Sequence, residues 1–299
     1  MLLSYTAAEN DGGRTVHSIV RREFRASASL LRRLKAAGAI AVSGAAVFTD
    51  YRVKPGETVS ADVDAAEKPC DNIPEQGDLE ILFENEGLVA VNKPAGVIVH
   101  PTHSRNTGTM ANFVAGYMAR TSQMCSCHAV NRLDRDTSGV VLFAKNSYMK
   151  ALASEALSDG AASKEYLALV HGAMPGSGVI DAPIRRLEER NMLRVVSPDG
   201  QTAVTRYETV RVAGAGGGSV SLVLLRLETG RTHQIRVHCG HVGHPVLGDR
   251  LYCTEESSRL SRELGVATQA LHAYRLAYAD PLTGRRTEIV APVPELFEI

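Results

Sequence analysis

The chain has 299 residues, 44% of them apolar and 22% charged, and its 33 Lys/Arg balance 33 Asp/Glu. That composition is ordinary for a globular protein, and the length holds one large domain or two unequal ones. No run approaches the ~20 apolar residues that a bilayer span needs. The start, MLLSYTAAENDGG, lacks the basic and apolar segments of a secretory signal. The cysteines at positions 70, 125, 127, 239 and 253 follow no disulfide spacing. Free thiols in a reducing cytoplasm are therefore expected.

The zero net charge hides an uneven distribution. Between Arg14 and Lys54 nine Lys/Arg face two acids, Glu23 and Asp50. A local excess of seven positive charges is the footprint of a phosphate-binding surface. Ser27 is placed to cap a helix with Leu30, Leu31 and Leu34 on one face and Arg32, Arg33 and Lys35 on the rest. Gly38 ends it, Ala39–Val42 reads as a strand, Ser43-Gly44 and Lys54-Pro55-Gly56-Glu57 as turns, and Thr58-Val59 as a further strand. A basic helix feeding small strands makes a compact α/β RNA-binding module, with Arg32, Arg33 and Lys35 as candidate contacts. The block Leu31-Arg32-Arg33-Leu34-Lys35 with Gly38, Val42-Ser43-Gly44 and Val53-Lys54-Pro55-Gly56-Glu57 resembles the small S-four RNA-binding domain. The expected division is this module over residues 1–66, a linker over 67–78 with Pro69, Pro74 and Gly77, and a second domain over 79–299.

In the second domain, Leu79–Phe83 and Leu88–Val91 read as a hairpin, and Thr107–Arg120 as a helix with Met110, Phe113, Val114 and Tyr117 at helical spacing. Then comes HAVNRLDRDTSGVVLFAK at 128–145, in which Asn131, Arg132, Asp134, Arg135 and Asp136 form a charged knot ahead of a strand. Ser147–Leu157 is a predicted helix. Lys164–Val170 alternates as a strand, with Lys164, Tyr166 and Ala168 on the face opposite Glu165, Leu167 and Leu169. Arg185 to Arg194, with four arginines, reads as a mobile basic loop. Thr202–Val212 and Val220–Leu227 are strands joined by the Gly-rich link 214–218. Thr232 is placed to cap a helix from His233 to His241 with Ile235, Cys239 and Val242 inward, and Arg236 shares the face of His233 near its start. Leu271–Ala279 is the last predicted strand.

The four histidines at 233, 238, 241 and 244 with Cys239 lack a metal-site spacing and have no Asp or Glu among them, and Cys125-Ser-Cys127-His128 is too tight; no metal is expected. Neither a Gly-x-Ser-x-Gly nor a Gly-x-x-x-x-Gly-Lys block is present, which counts against a hydrolase elbow and a nucleotide triphosphate site. What remains is a carboxylate (Asp134), a tyrosine on a strand (Tyr166) and an arginine at a helix start (Arg236). An Asp paired with Arg stays ionised and can act as nucleophile or base, and a Tyr ring offers a stacking surface to a nucleobase.

Five blocks, Asn131-Arg132-Leu133-Asp134-x-x-Thr137-Ser138-Gly139, Lys164-x-Tyr166-x-Ala168-Leu169-Val170-x-Gly172, Gly230-Arg231-Thr232-His233-Gln234-Ile235-Arg236-Val237-His238, Gly243-His244-Pro245-x-x-Gly248-Asp249-x-x-Tyr252 and Leu271-His272-Ala273, resemble the motifs of the RluA-type pseudouridine synthases in family order. The resemblance implies an α+β fold: a mixed, largely antiparallel central sheet flanked by helices around an RNA-binding cleft. It implies isomerisation of uridine to pseudouridine in structured RNA, ribosomal or transfer, with no cofactor and no membrane. A cytoplasmic monomer is the expected form. By the same resemblance Asp134 is the catalytic aspartate, Tyr166 stacks on the target base and can serve as a base, and Arg236 pairs with Asp134. Asn131, Arg132, Thr137, Lys164, Arg231, His233 and Gln234 are the implied RNA-site residues. The family pattern usually has His at the position of Asn131, and Asn cannot titrate near neutrality.

Overall fold

The N-terminal segment builds its own sheet. In chain order it holds strand β1 (Leu2–Thr6), helices α1 (Val16–Arg22) and α2 (Ala28–Ala36), and strands β2 (Ile40–Val42), β3 (Ala45–Ala46) and β4 (Thr58–Asp62), paired in the order β1-β4-β2-β3. This computed structural model describes every residue except 69, 70, 103, 104, 124, 125, 159, 189–191, 216 and 299. Pro69, Cys70, Cys125 and Arg190 thus lie outside the described residues. Ser27 caps α2 as expected, its side chain accepting a hydrogen bond from the Leu30 amide. Helix α1 was not anticipated. Its β-branched residues disfavour an isolated helix, but Val16, Ile19 and Val20 at helical spacing bury one face, and tertiary packing decides.

The remainder forms strands β5 (Glu80–Glu84) and β6 (Leu88–Lys93), helix α3 (Met110–Arg120), β7 (His128–Ala129), β8 (Ser138–Ala144), α4 (Ser147–Ser158), β9 (Ser163–His171), β10 (Ser177–Asp181), β11 (Ile184–Arg186), β12 (Arg194–Val196), β13 (Val204–Ala215), β14 (Gly218–Leu227), α5 (Gln234–His241), α6 (Glu255–Glu263), β15 (Leu271–Ala279) and β16 (Arg286–Val290). Ten of these strands make one sheet in the order β10-β13-β14-β9-β15-β8-β6-β5, with β16 beside β15 and β7 beside β8. All pairings in it are antiparallel except β15 with β8, where His272 lies opposite Ser138 and Ala273 opposite Gly139. That mixed, largely antiparallel α+β architecture is the one the motifs implied. Gly139 is required at the parallel contact: its φ is +107°, and a Cβ there would sit 2.2 Å from the Ala273 carbonyl oxygen.

The apolar runs of β6 and β8 follow from burial on both faces. Val89, Val91, Val141 and Phe143 pack with α3, whereas Leu88, Ala90, Val140, Leu142 and Ala144 face α4 and the N-terminal module. The two parts therefore share one apolar core. The module is also tied on by Tyr148, whose hydroxyl donates to the Phe24 carbonyl at 2.9 Å, and by Arg25 with Glu155 at 2.7 Å.

Three expectations need correction. The ends of the Arg185–Arg194 stretch are paired as strands β11 and β12 rather than left as unpaired loop, because Ile184 and Val196 lie opposite each other and turn toward apolar neighbours; residues 189–191 between them lie outside the described residues. The linker over 67–78 is fastened down: Glu67 accepts from Ser147 and Asn72 donates to the Cys127 carbonyl. Thr232 does not cap α5; His233 does so without a side-chain bond, with φ +58°, and Val242 is 39% exposed rather than inward. Among the described residues, no helix is long and apolar enough to cross a membrane.

Candidate active site

Asp134 stands on the segment between β7 and β8, and several side chains fix that segment. Lys93, at the end of β6, is fully buried and its ammonium donates to the carbonyls of Pro94 (2.9 Å), Val97 (2.6 Å) and Arg135 (2.7 Å). Burial pushes its pKa down to about 8, with Asp136 and Asp134 opposing. Downstream, Gln269 donates to the Thr137 hydroxyl at 2.5 Å, and the Ser138 hydroxyl is 2.8 Å from His272 Nδ1. The carboxylate is thus carried on a segment pinned immediately after it, at Arg135, Thr137 and Ser138, as a precise site requires.

Arg236, the third residue of α5, reaches two carboxylates at once. Its Nη1 donates to Asp134 Oδ2 at 2.7 Å, while Nε and Nη2 form a two-pronged bond to Asp249 at 2.6 and 2.9 Å. Burial alone would lower the guanidinium's pKa. The Asp249 and Asp134 charges more than offset it, and the net shift is upward. The Asp249 side chain is wholly buried, whereas that of Asp134 is 28% exposed. One carboxylate therefore orients the arginine, and the other is presented to the cleft. Asp134 Oδ1 takes no hydrogen bond among the described residues.

Tyr166 sits in the middle of β9, in the apolar cluster that includes Ala168 and Ile235. Burial, with a smaller contribution from the Asp134 charge, pushes its phenol up to about 12. The ring is therefore neutral at physiological pH. His233 Nε2 lies 3.8 Å from Asp134 Oδ2, and its Nδ1 lies 2.8 Å from the Tyr252 hydroxyl. Asp134, Tyr166, Arg236 and His233 are thus brought together.

Others on the expected list are engaged with protein partners. Asn131 Oδ1 accepts from the Leu142 amide (2.8 Å) and Nδ2 donates to the Val140 carbonyl (3.2 Å), so its amide extends the backbone ladder along β8. Thr137 is 2% exposed and bonded to Gln269. Gln234 is 2% exposed; it accepts from Thr229 and the Arg231 amide and donates to Val204 and Thr205. Arg33 donates to Ser147 at 2.7 Å and to the Ala66 carbonyl at 3.0 Å, joining the module to the second domain. Thr137 and Gln234 are buried polar groups satisfied by protein, and half-buried Asn131 and Arg33 spend hydrogen bonds on it as well. Arg132, Arg231, Arg32 and Lys35 remain exposed, and Lys164 shares the face of Tyr166 with its pKa lowered by burial.

The histidines of the 233–244 stretch diverge: His238 bonds Thr205 and the Ala182 carbonyl, and His244 bonds the His171 carbonyl. Among the described residues no three His, Cys, Asp or Glu are grouped to hold a metal. Sequence reasoning gave no role to Lys93, Asp249, Tyr252 or Gln269. The block Gly248-Asp249-x-x-Tyr252 carried the available signal for two of them.

The family model described as "RNA pseudouridylate synthase" matches residues 87–241. A Bacillus subtilis (strain 168) relative named "Uncharacterized RNA pseudouridine synthase YhcT" is 37% identical over 96% of this chain and 92% of its own. "Ribosomal large subunit pseudouridine synthase D" of Zymomonas mobilis is 33% identical over 92% of this chain and 88% of its own. Among solved structures, "Human RNA Pseudouridylate Synthase Domain Containing 1" superposes with a TM-score of 0.59 at 28% identity, covering 74% of this chain and 86% of that one. With the fold, the motif order and these relatives in agreement, the chain belongs to the RluA-type family and is an RNA pseudouridine synthase.

Proposed function

We propose that this enzyme isomerises uridine in ribosomal RNA, rather than in transfer RNA, with Asp134 as its catalytic carboxylate. The observation that carries the assignment is the Arg236 guanidinium held by buried Asp249 and bonded to one oxygen only of partly exposed Asp134. The choice of ribosomal RNA rests on relatives named "Ribosomal large subunit pseudouridine synthase D", at 33% and 35% identity. The reaction breaks the bond from ribose C1′ to uracil N1, turns the ring and joins C1′ to C5; the C5 hydrogen leaves as a proton and N1 takes one up. Asp134 is the charged group that supplies nucleophile or base to it. Tyr166 enters as a neutral phenol, which favours stacking on the extruded base over an initial base role.

The surrounding surface supports RNA docking. A cleft of about 410 Å³ is lined by Arg185, Arg186, Arg194 and Arg231 with one acid, Asp199. Arg32 and Lys35 of the N-terminal module supply a further cationic face. Their attraction to phosphate offsets the few kcal/mol that flipping a nucleotide costs. The enzyme acts as a cytoplasmic monomer without metal or organic cofactor in this reading.

The test is a pseudouridine map of ribosomal RNA from a strain lacking the gene, before and after incubation with purified protein. At least one uridine position should convert with wild type and none with Asp134→Asn, which should still bind the RNA. No conversion by wild type, or full conversion by Asp134→Asn, overturns the proposal.

A further inference from the structure

Tyr252 stands between the basic ribbon and the catalytic carboxylate. Its hydroxyl accepts a hydrogen bond from the backbone amide of Arg194, the first residue of β12, at 3.0 Å. The same hydroxyl lies 2.8 Å from His233 Nδ1. An amide N–H can only donate, so at the Arg194 contact the phenol oxygen is the acceptor. The phenol's own proton then needs an acceptor, and among the described residues His233 Nδ1 is the one within reach. With Nδ1 occupied as an acceptor, the single proton of a neutral imidazole resides on Nε2. That nitrogen faces Asp134 Oδ2 across 3.8 Å.

The surroundings hold this arrangement in place. The Tyr252 ring has the Arg236 guanidinium carbon 5.1 Å from its centroid and meets the His233 ring edge-on at 5.7 Å and 77°. His233 adopts a left-handed backbone conformation, φ +58°, which a residue with a Cβ enters only at a cost. Such strain persists where the neighbourhood over-determines it. The charged groups facing the imidazole are Asp134, Arg236, Arg194 and Asp249. Burial, aided by the two arginines and opposed by the two carboxylates, holds its pKa below the ordinary value, so it carries one proton at neutral pH. Burial likewise raises the Tyr252 phenol, which therefore has its proton to give.

We infer that Tyr252 is a positioning residue that fixes the His233 tautomer, so that Nε2–H points at Asp134 and works with Arg236 to orient its Oδ2 and leave Oδ1 for the reacting nucleotide. This rests on Asp134 being the catalytic carboxylate. Because the Arg194 amide anchors the far end, the chain of contacts Arg194–Tyr252–His233–Asp134 also joins the arginine-bearing ribbon to the reaction centre.

The test has a spectroscopic arm and a kinetic arm. Nitrogen-15 NMR of histidine-labelled full-length enzyme, with His233 assigned from a His233→Gln sample, reads which ring nitrogen carries the proton. Wild type should show Nε2 protonated and Nδ1 bare between pH 6.5 and 8. Tyr252→Phe should lose the hydrogen bond at Nδ1 and show a mixture of tautomers. Tritium release from C5-labelled, unmodified large-subunit ribosomal RNA should show kcat lowered about tenfold with KM unchanged, the size expected for one lost orienting bond. A protonated Nδ1 in wild type overturns the inference whether or not the Phe variant folds, and so does a wild-type kcat in that variant. Asp134→Asn separates the two readings. If it turns over, the catalytic assignment fails; if it is dead while Tyr252→Phe runs at full kcat, only the positioning role fails.

Discussion

Replacing Asp249 by Asn removes the charge that orients Arg236 while keeping the shape of the side chain. Asn retains a carbonyl oxygen for the Leu251 amide, now accepted by Asp249 Oδ1 at 2.9 Å, so that bond survives. What is lost is the two-pronged ion pair, since one prong now sets an amide N–H against a guanidinium N–H. Both partners are interior: side-chain exposure is 7% for Arg236 and 0% for Asp249. Breaking a buried pair by removing one charge costs about 3–5 kcal/mol. Asp134 stays as a second partner, so we expect the lower end, about 3 kcal/mol, which lowers Tm by roughly 6 °C for a chain of this size. Asp134→Asn removes a charge that is already 28% exposed and should cost at most about 1 kcal/mol. Thermal and urea unfolding of the two variants side by side, with turnover measured on both, is the assay. The expected pattern is a marked loss of stability for Asp249→Asn and abolished turnover with near-native stability for Asp134→Asn. Equal Tm values for Asp249→Asn and wild type, or a larger stability loss for Asp134→Asn, would refute the division of labour between the two carboxylates.

Two further predictions concern the junction of the two parts. Glu67 accepts from Ser147 (2.7 Å) and pairs with His128 (3.3 Å); burial would raise its pKa, but these bonds hold it down at about 2 against an ordinary 4.5. A depressed carboxylate stabilises the fold above its unfolded value and loses that contribution as pH falls through the folded one. The stability difference between wild type and Glu67→Gln, roughly 3 kcal/mol near neutrality, should therefore shrink between about pH 5 and pH 2; a difference independent of pH over that range would count against the role. For RNA binding by the N-terminal module, Arg32→Ala with Lys35→Ala should reduce the slope of log affinity against log salt by roughly 1.5, with melting unchanged. Deleting residues 1–66 is the poorer experiment, because it uncovers the apolar face that includes Leu142 and Tyr148, and the truncated protein should aggregate; a soluble, folded remainder would show that the core is not shared.

The sequence by itself determined the elements with strong periodicity and the chemistry of the motif blocks. The apolar runs around Leu88–Val91 and Val140–Ala144 read as strands, which the fold buries on both faces, and Tyr166 was assigned to the face away from Leu167 and Leu169, where it lies. Asp134, Arg236 and Tyr166 stood out because few residue types suit the proposed chemistry, and the fold brings the three together. Tertiary structure alone decided where the polar side chains spend their hydrogen bonds. Asn131, Thr137, Gln234 and Arg33 looked like ligand contacts, and each is hydrogen-bonded within the protein. Lys93 carried no signal in the sequence, and it clamps the segment of Asp134 by a bond to Arg135, 42 residues away. The physical reason is that an amide, hydroxyl or guanidinium accepts protein and RNA partners with similar energy. The choice between them depends on which groups the folded chain brings within 3 Å, and local periodicity carries no record of that.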